Sequence, residues 1–256
     1  VASDYAVLAP VYDAIGYADY ARRITPRLMD YAQRIDWLGR RIVVLGCGTG
    51  GSIEYLSQYP YNITGVDQSP EMLDIARRKL DTPGVSLKWL QQDIRENGGQ
   101  ITTADLVLAL NVINDLNSLR DLEAVFVNAQ HILDSGKLFI FDMMTVQGLA
   151  EHGSGRFEMV HDDPAQLTVF AKHDFDYERQ TLTTNTIVFQ RHDNGWDRKD
   201  ARGVLRGFPV QAVATLLQRN GFQTRAILNT QFETYDPATS RADRVIFVAE
   251  KQQARS

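Results

Sequence analysis

The chain has 256 residues, of which 44% are apolar, and a formal net charge of −5 with an isoelectric point near 5.6. That balance argues against a partner needing a broad basic surface, as nucleic acid does, and leaves a small molecule as the expected partner. No apolar run reaches the roughly 18 residues of a membrane span, and the first twenty residues, with Asp4, Asp13 and Asp19, lack a basic-then-apolar leader pattern. The expectation is therefore a cytoplasmic protein without a membrane partner. The length suits one large α/β domain or two small ones. Cys47, the single cysteine, can form no internal disulfide and reads as a small packing residue.

Residues 1–24 carry Tyr5, Tyr12, Tyr17 and Tyr20 among acids and small residues, too irregular for a helix, and are expected to fold over another part of the chain. Thr25-Pro26 reads as a helix cap followed by a first-turn proline, with Ile24, Leu28, Tyr31 and Ile35 at helical spacing up to Trp37. The stretch Arg41–Ser52 organises the rest. Strand formers stop at Gly46, Gly48 and Gly50, and an amphipathic segment from Ser52 to Leu56 follows, giving strand, tight turn, helix. Glycines there let the backbone take positive φ and pass close under a ligand, leaving the N–H groups of the next helix facing its polar end.

A second strand, Asn62–Asp67, ends in a carboxylate. Ser69-Pro70 caps a helix with Met72, Leu73, Ala76 and Leu80 on one side. Val85–Leu90 is a third strand ending near Asp93, and Ala104–Leu110 a fourth, apolar enough to be buried on both faces. Residues 118–133 are helical, with Ser118 and Asp121 in capping-box spacing. Gly136 is expected to end that helix, and Lys137–Asp142 is the fifth strand. Alternation of this kind builds a parallel sheet covered by helices on both faces, which binds ligands outside the carboxyl ends of its strands. Asp67, Asp93, Asn111 and Asp142 should therefore converge on the glycine turn.

From Phe157 to Pro209 the rhythm becomes that of antiparallel hairpins, including an Asp193-Asn194-Gly195 turn. A helix returns over Pro209–Asn220, closing strands follow at Thr224–Leu228 and Arg244–Glu250, and the polar tail after Glu250 should fray. The pairs His161-Asp162, His173-Asp174 and His192-Asp193 read as exposed strand-end residues and no metal site is expected of them. Arg77-Arg78-Lys79 reads as a solvated helix face.

Two nucleotide ligands fit the glycine turn. Gly46, Gly48 and Gly51 satisfy G-x-G-x-x-G with Asp67 about 20 residues on, the dinucleotide fingerprint of a nicotinamide-dependent oxidoreductase. Against it, Gly50 adds a G-x-G-x-G pattern, and Asp93 after the third strand suits an adenine amine. With Val44–Gly50, Gly65–Met72, Gln92-Asp93-Ile94, Ala104–Asn111 and Ile132–Ile140 in order, the chain resembles the class I S-adenosylmethionine-dependent methyltransferases. In layout it is nearest the small-molecule N-methyltransferases of amino sugars and glycine-like amines, which the segments Val11-Tyr12-Asp13 and Asp19-Tyr20 resemble.

That resemblance implies a Rossmann-like seven-stranded, mostly parallel sheet with helices on both faces and an inserted antiparallel β-sheet after the fifth strand. As one domain it would divide into an N-terminal lid (1–37), a cofactor-binding core (38–150), an insert over the acceptor site (151–208) and a closing unit (209–250). It implies S-adenosyl-L-methionine as cofactor and methyl transfer to a small amine or hydroxyl. Gly46, Cys47, Gly48 and Gly50 would hold the methionine end and Asp67, beside Gln68, the ribose hydroxyls. Met72 and Ile94 would flank the adenine, Asp93 would accept from its amine, and Asn111, Tyr12 and Tyr20 would complete the site. Where the family carries an acid two residues before the first glycine, this chain has Val44. Asp142 is the first candidate to face the acceptor, with Tyr12 and His152 behind it; their blander alternatives are a structural acid, a packing residue and a loop residue. A protein that kept the fold and lost the chemistry is a further alternative. A homodimer through the inserted sheet is an open expectation.

Overall fold

Ile42 and Val44 point to one face of a central sheet and Val43 and Leu45 to the other, and each pair enters a different hydrophobic core. The computed structural model describes residues 3–96, 99–101, 103–193 and 195–253. Eleven strands and seven α-helices are present among them. The larger sheet holds β1 (Arg41–Leu45), β2 (Asn62–Asp67), β3 (Ser86–Gln91), β4 (Ala104–Ala109), β5 (Leu133–Met144), β10 (Phe222–Asn229) and β11 (Arg244–Lys251) in the order β10-β11-β5-β4-β1-β2-β3. Strands β1 to β5 run parallel, and β11 is antiparallel to both β5 and β10. Every residue of β4 is buried, as a central parallel strand covered on both faces requires.

On one face α2 (Asp19–Arg34), α3 (Gly51–Leu56) and α4 (Pro70–Leu80) cover Ile42, Val44, Leu106 and Leu108. On the other α5 (Leu119–Ile132) and α7 (Val210–Arg219) cover Val43, Leu45 and a phenylalanine cluster in which Phe141 stacks on Phe247 at 4.8 Å. Ser118 caps α5 as its spacing predicts: its Oγ accepts from Asp121 N–H at 3.1 Å and donates to Asp121 Oδ2 at 3.0 Å. Ser118→Ala should cost about 1 kcal/mol, read as a fall of about 2–4 °C in Tm for a chain of this size. An unchanged urea midpoint would show that the cap contributes nothing.

The second sheet follows β5 and a helix the sequence did not announce, α6 (Val146–His152). Its strands β6 (Ser154–Asp163), β7 (Leu167–Asp176), β8 (Thr181–His192) and β9 (Gly195–Arg206) form an antiparallel meander. Asn194 of the expected hairpin turn and the last three residues of the tail lie outside the described residues. The N-terminal segment, with α1 (Tyr5–Leu8), packs on this sheet: Leu8, Val11 and Ile15 share a core with Leu167, Val169, Val188 and Ala201. Asp4 N–H donates to Arg202 O at 2.9 Å, and Arg202 N–H donates to Asp4 Oδ2 at 2.9 Å, which fastens the segment to β9.

Four expectations are corrected. The helix expected from Thr25 starts six residues earlier; Thr25 sits inside it, donating to Ala21 O at 2.7 Å, and Pro26 is an interior residue. A buried stripe of Ile24, Leu28, Met29 and Ala32 holds α2 through the hydrogen bond that the proline forfeits. Gly136 does not terminate α5 but lies within β5 at φ 75°, where the β4–β5 register shifts. His173 is buried rather than exposed, its ring nitrogens within 2.9 Å of Thr184 Oγ1 and 3.2 Å of Glu158 Oε1. Lys79 does not face solvent alone: its Nζ donates to Asp13 Oδ2 and meets Glu54 Oε1, both at 2.7 Å, while Arg22 binds the same two acids. This four-charge network ties the N-terminal segment to α3 and α4.

Candidate active site

The glycine turn after β1 takes positive φ at Gly46 (64°), Gly48 (53°) and Gly50 (88°), as a strand entering a helix this abruptly demands. The three have different reasons to lack a side chain. A Cβ on Gly46 would come within 2.6 Å of Val112 Cγ2 and one on Gly50 within 2.5 Å of Leu80 Cδ1, whereas one on Gly48 would meet no atom within 4 Å. Gly48 therefore opens on a cleft, and Gly50, expected beside the ligand, is instead a packing residue at the start of α3. Cys47 N–H extends the ladder to Val66 O at 2.9 Å. Burial pushes its thiol well above the usual range, consistent with a packing role.

Asp67, at the carboxyl end of β2, bridges the turn and the next helix. Oδ2 accepts from Gly48 N–H at 2.8 Å and Oδ1 from Ser69 N–H at 2.9 Å. Burial raises its pKa, and the backbone donors oppose that shift without cancelling it. Each oxygen retains a lone pair for a ligand. Ser69 in turn caps α4 by accepting from Met72 N–H at 3.2 Å, which presents Met72 to the cleft. Asp93 is gripped by Arg95 through Nε at 3.0 Å and Nη2 at 2.6 Å, and Arg95 reaches Asp121 at 3.0 Å. The guanidinium holds the Asp93 carboxyl below its ordinary range.

The cleft, about 1140 Å³ with its open mouth included, lies across the carboxyl ends of β1, β2 and β4. Among the expected site residues, Tyr12, Gly46, Cys47, Gly48, Asp67, Gln68, Met72, Asp93, Ile94 and Asn111 line it together. Gly50, Tyr20, Asp142 and His152 are outside that lining. Asp142 is fully buried under Asn111, a left-handed residue at φ 61°: Oδ1 accepts from Asn111 N–H at 2.8 Å, and Oδ2 pairs with Arg244. Arg244 also donates to Asn111 Oδ1 at 2.6 Å and lies 4.2 Å from the Tyr20 ring centre. Asp142 and Tyr20 thus brace the wall from behind. His152 is exposed at the end of α6, its ring 5.9 Å from that of His173.

Sequence reasoning missed Ser3, Tyr5, Tyr17, Arg95 and Asp115, all of which line the cleft. Asp115 follows β4 in a short 3-10 turn (Ile113–Asp115) pinned by Asn114. The Asn114 side chain donates to Met144 O and Arg206 O at 3.1 and 2.8 Å and accepts from Met144 N–H at 2.7 Å. Tyr5 Oη donates to Asp115 at 2.9 Å and Ser3 Oγ to Oδ1 at 3.1 Å. The only local signal was two polar residues, Asn114 and Asp115, inside an otherwise apolar stretch from Val112 to Leu116.

Residues 42–136 match the model of a family described as a methyltransferase domain. The chain is 29% identical over 222 residues, 82% of its length and 84% of the relative's, to YqeM of Bacillus subtilis (strain 168), provisionally named a methyltransferase. An S-adenosylmethionine-dependent methyltransferase from Clostridium acetobutylicum ATCC 824 superposes with a TM-score of 0.82 at 20% identity, over 96% of this chain and 98% of that one. A SAM-bound amino pentose methyltransferase from Micromonospora echinaspora superposes with a TM-score of 0.66 at 21% identity, over 94% and 97%. Residues 42–136 therefore match a methyltransferase domain, and the chain as a whole has the fold of the S-adenosylmethionine-dependent methyltransferases on which it superposes. At that coverage most of the second sheet falls within the portion shared with both structures. Among the described residues no helix is long and apolar enough to cross a membrane.

Proposed function

We propose that the cleft binds S-adenosyl-L-methionine along the strand ends and a small-molecule acceptor beside it, under the N-terminal segment and the second sheet. The observation that carries this is the pairing of an open glycine with a half-buried acid: Gly48 leaves space where a side chain would stand, and Asp67, bonded to that same residue, lines the same cleft with its carboxylate. A carboxylate so placed can accept from two vicinal ribose hydroxyls. Met72 and Ile94 supply apolar faces for an adenine. Asp93, although gripped by Arg95, keeps acceptor capacity for its amine. The methionine end would lie along Gly46 and Cys47, where Val44 takes the place of the family's acid.

Bound there, the cofactor would supply a methyl group on a sulfonium, activated toward the lone pair of an acceptor. The protein's part is to bring the acceptor in line and keep water out. Calorimetry with S-adenosylhomocysteine should give saturable binding, and at a hundredfold excess over Kd a stabilisation of about 2.7 kcal/mol, or a Tm rise of about 5–10 °C. NAD should do neither. Binding of NAD in preference would return the site to the oxidoreductase reading.

A further inference from the structure

The acceptor end of the cleft carries an acid without a counter-ion. Among the described residues no basic side chain pairs with Asp115: its partners are the Tyr5 and Ser3 hydroxyls. An anion withdrawn from bulk water and left with neutral donors is unfavourable unless a cation arrives. Around it stand three tyrosines that line the same cleft. Tyr5 and Tyr12 meet edge to face at 6.3 Å, and Tyr12 and Tyr17 at 5.5 Å and 90°. Aromatic rings beside a cavity add an attraction for a cation that reaches their π faces. Among the described residues the only guanidinium in the lining, that of Arg95, is committed to Asp93 and Asp121.

Resting on the methyl-transfer reading of the cleft, we propose that Asp115, with Tyr5, Tyr12 and Tyr17, receives the ammonium form of a small primary or secondary amine and takes the proton that blocks its lone pair. One N–H bond of the ammonium breaks and one O–H bond forms on the Asp115 carboxylate. The amine is left neutral with a free pair and the acid is left neutral. Methylation then returns the positive charge to nitrogen, and the proton on Asp115 leaves to solvent as the product departs.

The electrostatics agree with this assignment. Burial raises the Asp115 carboxyl to about 7; the Tyr5 and Ser3 hydroxyls oppose that, and the Asp67 carboxylate adds to it. A proton acceptor near neutrality is matched to its task, and the same burial pulls an ammonium pKa down toward it. The charged and titratable groups facing Asp115 are Tyr5, Tyr12 and Asp67. The two tyrosines remain neutral, their pKa values raised first by burial and then by Asp115. The acid also sits where the N-terminal segment meets the second sheet, since Ser3 Oγ both donates to Asp115 and accepts from Val204 N–H of β9 at 3.3 Å.

The test uses calorimetry on the full chain, wild type and Asp115→Asn, with and without S-adenosylhomocysteine, and four probes: cyclohexylamine, N-methylcyclohexylamine, cyclohexanol and cyclohexanecarboxylate. Wild type should bind both amines at least tenfold more tightly than the alcohol. Asp115→Asn should lose that preference while keeping its S-adenosylhomocysteine affinity within threefold. Absence of an amine preference in wild type, whether all four bind alike or none binds, overturns the proposal, as does a preference that survives Asp115→Asn. Loss of S-adenosylhomocysteine affinity to the same degree would place Asp115 at the cofactor's own ammonium and also overturns it. If S-adenosylhomocysteine fails to bind while the amines do, the cofactor reading fails alone.

A second readout separates this role from a structural one. A carboxyl raised from about 4 in the unfolded chain to about 7 when folded makes the folded state bind more protons between those values. Stability therefore declines as pH rises through that window. Asp115→Asn should raise Tm above wild type at pH 8, and the gain should vanish toward pH 4. A lower Tm at pH 8 would mark Asp115 as a structural residue and count against the proposal.

Discussion

Asp67→Asn is expected to weaken S-adenosylhomocysteine binding by about a hundredfold or more while leaving the circular dichroism spectrum intact. The carboxylate does two things at once. Its oxygens accept from Gly48 and Ser69 N–H groups, and by the proposed pose they also accept from both ribose hydroxyls. An amide nitrogen in place of either oxygen sets donor against donor and removes one ligand acceptor. Hydrogen bonds to a charged group are worth about 1.5–3 kcal/mol each, and each 1.4 kcal/mol is about a factor of ten in Kd; losing one or two gives the stated effect. The fold should survive, because the change removes a buried charge that burial already disfavours. Since burial raises the Asp67 pKa, wild-type affinity should also fall as acid protonates the group, and Asp67→Asn should show no such fall. Calorimetry at pH 5 and 8 reads both effects; equal affinities for the two proteins would remove Asp67 from the site.

Why Asp67 was legible and Asp115 was not is a question of range. Asp67 acts on neighbours fixed by the strand, turn and helix that carry it, so its spacing from the glycines nearly determines its place. The same holds for Met72, set one turn past the Ser69 cap, and for Ile94, just beyond β3. Asp115 acquires its meaning from Tyr5 and Ser3, more than 100 residues away in sequence, brought to it by a segment that folds against a sheet formed still later in the chain. Local signals misled in the same way. Thr25-Pro26 is a strong helix start by propensity, yet α2 begins six residues earlier because its buried stripe and the Arg22 network reward the longer helix. Gly50 fits a ligand motif, but its missing Cβ answers to Leu80. Asp142 was expected at the end of the fifth strand, but β5 runs two residues past it to Met144. Which way it would face depended on Arg244, a cation supplied by the last strand.

Arg244 gives the largest expected loss of stability. Its guanidinium is tucked between the Tyr20 ring and the fully buried Asp142. Burial lowers its pKa, and the charges and hydrogen bonds of Asp142 and Tyr20 together outweigh that, so the net shift is upward and the guanidinium stays charged. Arg244→Met fills much of the same volume but leaves the Asp142 carboxylate in the interior without its cation. Breaking a buried pair from one side costs about 3–5 kcal/mol, which for a chain of this length is a fall of about 6–20 °C in Tm. The charge, rather than the contact, should be the cause: Asp142→Asn combined with Arg244→Met keeps an oxygen for Asn111 N–H, removes both charges, and should recover most of the loss. Asn111 would feel the single change as well, because Arg244 holds its side chain and Asp142 its backbone in the left-handed turn lining the cleft. Arg244→Met should therefore also loosen S-adenosylhomocysteine binding, by less than Asp67→Asn does. A double variant no more stable than Arg244→Met would show that packing against Tyr20, not charge pairing, anchors this wall.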